Sequence, residues 1–358
     1  MEKVNEGEAR IYINGDVFYN PRMQNLRDIS VSFLNAVGCE GKSLLDATSA
    51  SGIRAIRYAK ECGIRDGIAL DINKKAYDVC KRNIRSSGIN FGVNNTSLQR
   101  FANEYTGKFG VIDLDPFGSP APYIYDIMKL SEGGTVLMIT STDTAVLCGA
   151  HSKACVKQYN ARPLHNELCK EVGIRIMTGH ISRVASQFNF GITPLLSISD
   201  MHYMRVFVVL GSGAAEAGRS LARTGLGGHC GKCGSTFLGE GMAPLIGSHC
   251  GNCGSGLEGF GPLWTGKLYD KTITSRMLGN KDIKIIRVID EELDVPMFYS
   301  IPKVTKRVGR NSVSHYRVIE LLSEEGWTAT ATQFDRNGVK TDAGQADVLD
   351  IVKRIPRA

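Results

Sequence analysis

The segment Val111-Ile112-Asp113-Leu114-Asp115-Pro116-Phe117-Gly118 decides the fold, because an apolar strand ends there in an acid, a proline and an aromatic ring. A Pro-Gly turn after an apolar run places Asp115 at a carboxyl edge of a sheet, where ligands of open α/β folds bind. The Asp115 carboxylate can accept hydrogen bonds from an exocyclic amine, and Phe117 offers a stacking face to the ring that carries it. The alternative is an aspartate that caps the next helix.

A second apolar strand with a loop of small residues lies upstream. The stretch Ser43 to Arg54 predicts a strand that ends at Asp46, then a small-residue loop and a helix from Ala55 to Lys60. Small side chains let the backbone approach a ligand, and the amides at the helix start favour a polar or anionic group. The loop lacks the G-x-G-x-x-G spacing, so by itself it is a weak signal.

The next apolar run, Ile68-Ala69-Leu70-Asp71, ends in an acid about 25 residues after Asp46. This is the distance at which the second strand of a nucleotide-binding unit ends, and an acid there binds ribose hydroxyls. A helix is predicted from Lys74 to Ser86. Asn95 follows a further apolar segment, where the adenine of an adenosyl cofactor is often bound; a plain Asn-Asn turn is the alternative.

Three acids in order, Asp46, Asp71 and Asp115, thus mark the carboxyl edge of a predicted Rossmann-like α/β sheet. The first two are candidates for binding a cofactor. S-adenosylmethionine has no pyrophosphate and does not require the three spaced glycines of a nicotinamide site. The pattern therefore favours a methyltransferase that uses S-adenosylmethionine over a nicotinamide oxidoreductase.

Composition supports a globular chain of two domains, with 358 residues, 42% of them hydrophobic and 22% charged. No apolar run reaches the roughly 18 residues of a membrane span, and the amino end does not resemble a signal peptide, so we expect a cytoplasmic protein and no membrane partner. The net charge of +7 and the pI of about 8.8 favour a polyanionic partner such as nucleic acid.

Four of the ten cysteines form two pairs, Cys230-x2-Cys233 and Cys250-x2-Cys253, with a glycine after each pair. Four thiolates complete a tetrahedral shell around Zn²⁺, so this spacing predicts a zinc site. With no open coordination position, the metal would be structural. Disulfide and redox alternatives are disfavoured in a reducing compartment.

The cysteine region also suggests a domain boundary. Arg205 to Leu210 is predicted as the last strand of the first domain, and 211–215 as a soft linker. We therefore expect a methyltransferase domain with an N-terminal extension over residues 1–213. A smaller α+β domain would follow over 214–358, with a zinc-ribbon-like unit at about 228–256 and a helix from Ser314 to Glu325.

A basic run precedes that last helix. Its members are Lys303, Lys306, Arg307 and Arg310. The run could contact phosphate, or it could form a solvated surface.

Several motifs, taken together and in this order, resemble the archaeal and eukaryotic family of tRNA guanosine-26 N2-dimethyltransferases. The match extends over nearly the whole chain. The motifs are Val17-Phe18-Tyr19-Asn20-Pro21-x-Met23, Arg27-Asp28, Ala50 to Arg54, Asp115 to Pro120, Thr142-Asp143-Thr144, His202-Tyr203-x-Arg205-Val206 and Lys340 to Ala343. The resemblance implies mono- and then dimethylation of guanosine N2 in a tRNA substrate. We expect the C-terminal domain to bind tRNA and the protein to be a monomer.

The resemblance also assigns roles to residues of the site. Asp115 would lie near the N2 amine, with Phe117 and Phe18 on the two faces of guanine. Without the resemblance, both phenylalanines would be interpreted as core aromatics.

In the cofactor site, the resemblance implies that Arg27, Arg54 and Asp71 hold S-adenosylmethionine. Asp71 would bind the ribose hydroxyls and Arg27 would lie near the methionine carboxylate. Asn95 stands where the family often has an acid, and Leu26 where it has asparagine.

Two alternative functions stay open at this point. One is a different amino-group methyltransferase that acts on DNA adenine or on a glutamine side chain, since these enzymes use similar acid-proline-aromatic strand ends. The other is a non-catalytic tRNA-binding module.

Overall fold

The segment Val111–Leu114 is the middle strand of a seven-stranded sheet in a computed structural model, which describes residues 2–15, 17–311 and 313–356. The strands of the described residues are β1 Glu2–Glu6, β2 Ala9–Ile13, β3 Ser43–Asp46, β4 Asp66–Leu70, β5 Phe91–Asn94, β6 Val111–Leu114, β7 Val136–Ser141, β8 Phe190–Ser199, β9 Met204–Ser212, β10 Thr224–His229, β11 Thr236–Glu240, β12 Glu258–Trp264, β13 Tyr299–Ser300, β14 Ala329–Ala331 and β15 Gly338–Thr341.

Helices surround these strands, and one 3-10 turn, Pro21–Met23, precedes the first of them. The helices are α1 Gln24–Val37, α2 Ile53–Glu61, α3 Lys74–Ser87, α4 Leu98–Glu104, α5 Ala121–Lys129, α6 Thr144–Leu147, α7 Ser152–Tyr159, α8 Cys169–Ser186, α9 Ala214–Ala222, α10 Lys271–Asn280, α11 Lys284–Glu291, α12 Ile301–Arg307, α13 His315–Glu324 and α14 Gln345–Arg354. Among the residues described, no helix is both long enough and apolar enough to cross a membrane.

The central sheet has the order β5-β4-β3-β6-β7-β9-β8. Strands β3 to β7 pair in parallel, while β9 runs antiparallel between β7 and β8. β6 and β7 are buried along their whole length, because helices cover both faces of a parallel sheet. The strand order reverses beside β3, which opens a crevice at the carboxyl edge. The predicted α/β fold is confirmed.

The predicted helices form within a few residues of their expected ends. The helix expected over 55–60 is α2, and the helix expected over 74–86 is α3. α3 begins where the Asn73 side chain accepts a hydrogen bond from the Lys75 amide, and it ends at Gly88, which has a φ of +71°. The helix expected over 314–325 is α13.

The prediction of a soft linker over 211–215 is wrong. Gly211 and Ser212 end β9, and α9 begins at Ala214 after a turn at Gly213. α9 packs back onto the first half of the chain: the Ser220 hydroxyl contacts that of Ser182 at 2.8 Å and accepts the Ile192 amide at 3.1 Å. The division into 1–213 and 214–358 stays a prediction, since the core of the central sheet continues through Trp264 of β12 as far as Phe334.

Two smaller units complete the C-terminal half. A three-stranded antiparallel sheet, β11-β10-β12, carries the cysteine pairs. A second apolar core, between Ile301 and Ile355, joins α12, α13 and α14 to the sheet β13-β15-β14. The expected smaller α+β region with a zinc-ribbon-like element is therefore present.

Candidate active site

The predicted acids lie at the carboxyl ends of three strands of the central sheet. Asp46 ends β3, Asp71 follows β4, and Asp115 follows β6. These strands are neighbours in the order β4-β3-β6, so the three acids meet at one edge. The topology alone explains why residues so far apart in sequence share one crevice.

Arg54, predicted to bind cofactor, forms an ion pair with the predicted catalytic acid. Its Nη2 donates to Asp115 Oδ2, and its Nη1 lies 3.6 Å from Asp113 Oδ2. The guanidinium is buried, and burial opposes its charge, but the two carboxylates outweigh burial and raise the pKa of Arg54 well above its usual range. The Asp115 amide donates to the Thr48 hydroxyl at 3.1 Å, which ties the strand end to the small-residue loop.

Asp113 was not singled out from the sequence, yet it organises the buried side of the site. Its Oδ2 accepts hydrogen bonds from the Tyr58 hydroxyl at 2.6 Å and from Arg205 Nη2 at 2.9 Å. Burial opposes the charge of Asp113, but Arg205 and Arg54 outweigh it and lower its pKa. The signal in the sequence was its position two residues before Asp115, since alternate residues of a strand face the same side.

Asp46 lies beneath the small-residue loop and is only 1% exposed. Its Oδ2 has no hydrogen-bond partner within the described part of the chain. Burial and the nearby carboxylates of Asp113 and Asp115 outweigh Arg54 and raise the pKa of Asp46 to about 7. A buried carboxyl oxygen without a partner is suited to a polar or cationic group of a ligand.

Asp71 anchors the cofactor loop through both of its oxygens. Oδ2 accepts the Ala50 amide at 2.9 Å and Oδ1 accepts the Asn73 amide at 2.8 Å. Asn95 closes the neighbouring turn, because its Nδ2 donates to the carbonyls of Asp71 at 2.9 Å and Ile72 at 3.0 Å. Ile72 was missed in the sequence; the residue is 73% exposed beside Asp71, where a flat apolar ligand could pack.

Phe18 and Phe117 lie together at the mouth of the site. Their ring centroids are 4.9 Å apart with an interplanar angle of 85°, and the residues are 54% and 76% exposed. They are therefore not core aromatics. Two hydrogen bonds tie the loop that carries Phe117 to Thr142: Gly118, with a φ of +78°, donates its amide to the Thr142 hydroxyl at 2.8 Å, and its carbonyl accepts the Thr142 amide at 3.0 Å.

Arg27 is turned away from the acids of the crevice. It donates from Nε and Nη2 to the two oxygens of Glu6, at 2.7 and 2.6 Å, and from Nη2 to the Asn20 carbonyl at 3.2 Å. Tyr19 donates its hydroxyl to the same Glu6 at 2.8 Å. Arg27 thus fixes the segment that carries Phe18, and its predicted place near the methionine carboxylate stays a prediction.

The four predicted zinc ligands come together as one cluster. The Sγ atoms of Cys230, Cys233, Cys250 and Cys253 all lie within 4.8 Å of one another, and two of the pairs are 3.5 Å apart. Thiolates bound tetrahedrally to Zn²⁺ at about 2.3 Å lie about 3.8 Å apart, so the cluster fits a structural zinc ion.

The basic run, whose first three members lie on α12, is already partly paired. Lys303 Nζ and Arg307 Nη2 lie 3.9 and 3.5 Å from the Glu167 carboxylate, and Arg310 donates to the Ile355 carbonyl. Lys306 is exposed and has no ion-pair partner among the described residues.

Comparisons with known proteins agree with this geometry. Residues 1–353 match the family model described as N2,N2-dimethylguanosine tRNA methyltransferase. The tRNA (guanine(26)-N(2))-dimethyltransferase of Pyrococcus horikoshii is 34% identical, covering 99% of this chain and 98% of that protein. The protein of the same name from Methanothermobacter thermautotrophicus is also 34% identical, covering 98% of each.

A solved structure extends the likeness to three dimensions. Trm1 from Pyrococcus horikoshii, in complex with S-adenosyl-L-methionine, superposes with a TM-score of 0.91 at 34% sequence identity, over 98% of this chain and 99% of that one. The match covers both the crevice and the cysteine cluster region. This chain belongs to the N2,N2-dimethylguanosine tRNA methyltransferase family.

Proposed function

We propose that this protein transfers methyl groups from S-adenosylmethionine to the exocyclic N2 of guanosine 26 in tRNA, first one and then a second. The observation that carries this proposal is the position of Asp115. It stands between the acids of a cofactor crevice and two exposed aromatic rings, and Arg54 fixes its carboxylate.

Four side chains would hold the cofactor, which supplies the methyl group on its sulfonium. The Asp71 carboxylate, already fixed by two backbone amides, would accept the ribose hydroxyls, and Ile72 would cover the adenine with Asn95 beside it. Asp46 would take the ammonium of the methionine part, because its Oδ2 has no other partner in the described residues. The assignment of these side chains to the cofactor rests on the hydrogen-bond donors and acceptors that line the crevice.

Asp115 would orient the guanine amine. The N2 lone pair is delocalised into the ring, so the amine needs positioning more than a strong base. By accepting an N–H hydrogen bond, the carboxylate would aim the lone pair at the methyl group and take up the proton as positive charge develops on nitrogen. The Arg54 ion pair would hold that carboxylate in one orientation.

The two phenylalanine rings would stack on the two faces of the target guanine, which must leave the tRNA base stack to reach this site. They now contact each other edge to face at 4.9 Å. Because each stacking contact needs about 3.5 Å, a base can lie between them only when the rings are about 7 Å apart. We therefore propose that Phe18 or Phe117 turns aside when guanine enters.

The C-terminal half, residues 214–358, would bind the tRNA body. Lys303, Lys306, Arg307 and Arg310 would contact phosphates, with Lys306 the most available of the four. A monomer and a cytoplasmic location stay predictions, and light scattering of the purified protein tests the first.

Nucleoside mass spectrometry tests the proposal. Purified protein, labelled S-adenosylmethionine and a tRNA transcript with guanosine 26 should give N2-methyl and then N2,N2-dimethylguanosine. Asp115→Ala should lose this product while calorimetry still shows cofactor binding, and Asp78→Ala, an exposed acid on α3, should match wild type. Near-normal turnover by Asp115→Ala would refute the proposed role of Asp115. In parallel reactions with DNA or protein as substrate, label in either of these and none in tRNA would favour a different amino-group methyltransferase.

A further inference from the structure

A basic segment beside the active site is unused by the function proposed so far. Between residues 144 and 170 the chain has four Lys or Arg residues, Lys153, Lys157, Arg162 and Lys170, and only one acid, Glu167. His151, Lys153, Lys157 and Arg162 are exposed. The side chains of Lys153, Lys157 and Arg162 form no ion pair within the described residues. We call the four exposed residues His151, Lys153, Lys157 and Arg162 the α7 surface.

The helix that carries this surface supports the catalytic loop. Tyr159, on the buried side of α7, accepts a hydrogen bond from Ser119 at 2.8 Å and lies 3.4 Å from the Ser141 hydroxyl. Ser119 follows Phe117 and Gly118, and Ser141 ends β7. The α7 surface therefore lies on the outer side of the element that directly supports the proposed guanine pocket.

The one acid of the segment is neutralised from the C-terminal half. Glu167 lies 3.9 Å from Lys303 Nζ and 3.5 Å from Arg307 Nη2. The Arg307 guanidinium also packs against Gly234 of the first cysteine knuckle. Arg162 forms a backbone bridge with Gly261. Glu167 thus joins the segment that carries the α7 surface to Lys303 and Arg307 of α12, and Arg162 joins the same segment to β12.

From this placement we infer that the α7 surface binds the phosphate backbone of the tRNA strand next to the target nucleotide. The inference rests on the proposed function, because it names the part of the substrate that this surface contacts. Lys153 and Lys157 stand one helical turn apart, about 6 Å along the axis, and can neutralise separate phosphates. Such contacts fix the register of the strand without reading its sequence.

The salt dependence of tRNA binding tests the inference. Dissociation constants of an unmodified tRNA transcript would be measured between about 50 and 200 mM salt for wild type and for Lys153→Ala/Lys157→Ala. Each lost phosphate contact lowers the slope of log K against log salt by about 1. The variant should therefore bind more weakly at low salt, and its deficit should shrink roughly tenfold across that range.

A matched control is Lys60→Ala/Lys108→Ala, which removes two exposed lysines at the amino edge of the sheet, opposite the crevice. This variant should bind tRNA as wild type does. Equal weakening of tRNA binding by both variants would mean a general effect of net charge. An unchanged slope of log K against log salt in Lys153→Ala/Lys157→Ala would mean that these lysines do not contact phosphate. Either result overturns the inference. Wild-type protein that binds tRNA with the expected slope but methylates no guanosine would instead refute the proposed function.

Discussion

At the scale of single residues, Arg54 lies between the carboxylates of Asp113, within β6, and Asp115, directly after that strand. It pairs with Asp115, which is partly exposed, and with Asp113, which is fully buried. Asp113 is itself held by Tyr58 and Arg205. A buried charge needs several partners to stay in place, so this network makes the orientation of Asp115 depend on residues that never touch substrate.

Replacing Tyr58 by phenylalanine tests that dependence. The change removes the 2.6 Å hydrogen bond to Asp113 and one acceptor for Arg54 without altering charge. We expect the free energy of unfolding to fall by about 1.5–3 kcal/mol and kcat to fall roughly three- to tenfold, about 1 kcal/mol of transition-state stabilisation. The KM for S-adenosylmethionine should stay near wild type in steady-state assays.

The control for Tyr58→Phe is Tyr269→Phe, a buried tyrosine that donates to the carbonyls of Glu292 and Leu293. It should lower stability and leave kcat unchanged. If both variants lowered kcat alike, the effect would be one of general stability, and the positioning role of Tyr58 would be wrong.

His180 should make stability depend on pH. Burial and the Arg183 charge lower the pKa of His180 to about 4, and its Nε2 has no partner among the described residues. Below pH 6.5, His180 of the unfolded chain takes up a proton, whereas in the folded chain it stays neutral until about pH 4. The free energy of unfolding therefore falls as the pH falls through that window, by up to about 3 kcal/mol. Urea unfolding at pH 7 and pH 5 would show this loss in wild type and a smaller one in His180→Gln; equal losses would contradict it.

At the scale of elements, the cysteine knuckles hold the last helix. The Gln345 side chain, in the first turn of α14, donates to the Cys233 carbonyl and accepts from the Ser235 hydroxyl. Asn252 Nδ2, in the second knuckle, donates to Ser235 at 2.9 Å. The order of both knuckles and of the α14 start therefore depends on the four thiolates being held together.

Loss of one ligand should remove the metal. Cys233→Ser should contain less zinc than one ion per chain by elemental analysis and should unfold at a lower temperature than wild type, because structural zinc contributes directly to folding. Cys39→Ser alters a buried thiol outside the cluster and should keep full zinc. Full zinc in purified Cys233→Ser would contradict the four-thiolate site.

Elements with a strong local pattern were predictable, and contacts between distant side chains were not. Apolar runs that end in acids identified β3, β4 and β6, and the paired cysteines identified the cluster. By contrast, residues 211–215 were predicted to be a linker because they are small, yet they end β9 and begin α9, which packs on β8 and α8. The Asp113–Arg205 pair joins residues 92 positions apart. No periodic pattern of apolar residues in the sequence predicts such a contact.

At the scale of the whole molecule, four buried charges join the two halves of the chain. Lys340, from β15, lies 3.3 Å from Glu171 of α8 and 3.1 Å from Glu292, and Arg175 lies 2.9 Å from Glu171. All four side chains are at most 1% exposed. Two cations thus balance two anions where the C-terminal core meets the helix that packs on the central sheet.

Lys340→Met should therefore destabilise the whole protein, because it leaves two buried carboxylates with Arg175 as their nearest cation. Removing one partner of a buried ion pair costs about 3–5 kcal/mol, since the remaining charge stays desolvated. Urea unfolding measures the loss. Lys340→Met/Glu292→Gln restores the charge balance and should recover much of that stability, whereas Lys353→Met, on α14 outside the network, should unfold like wild type. A Lys340→Met protein within about 1 kcal/mol of wild type would mean that this buried charge network contributes little to holding the two halves together.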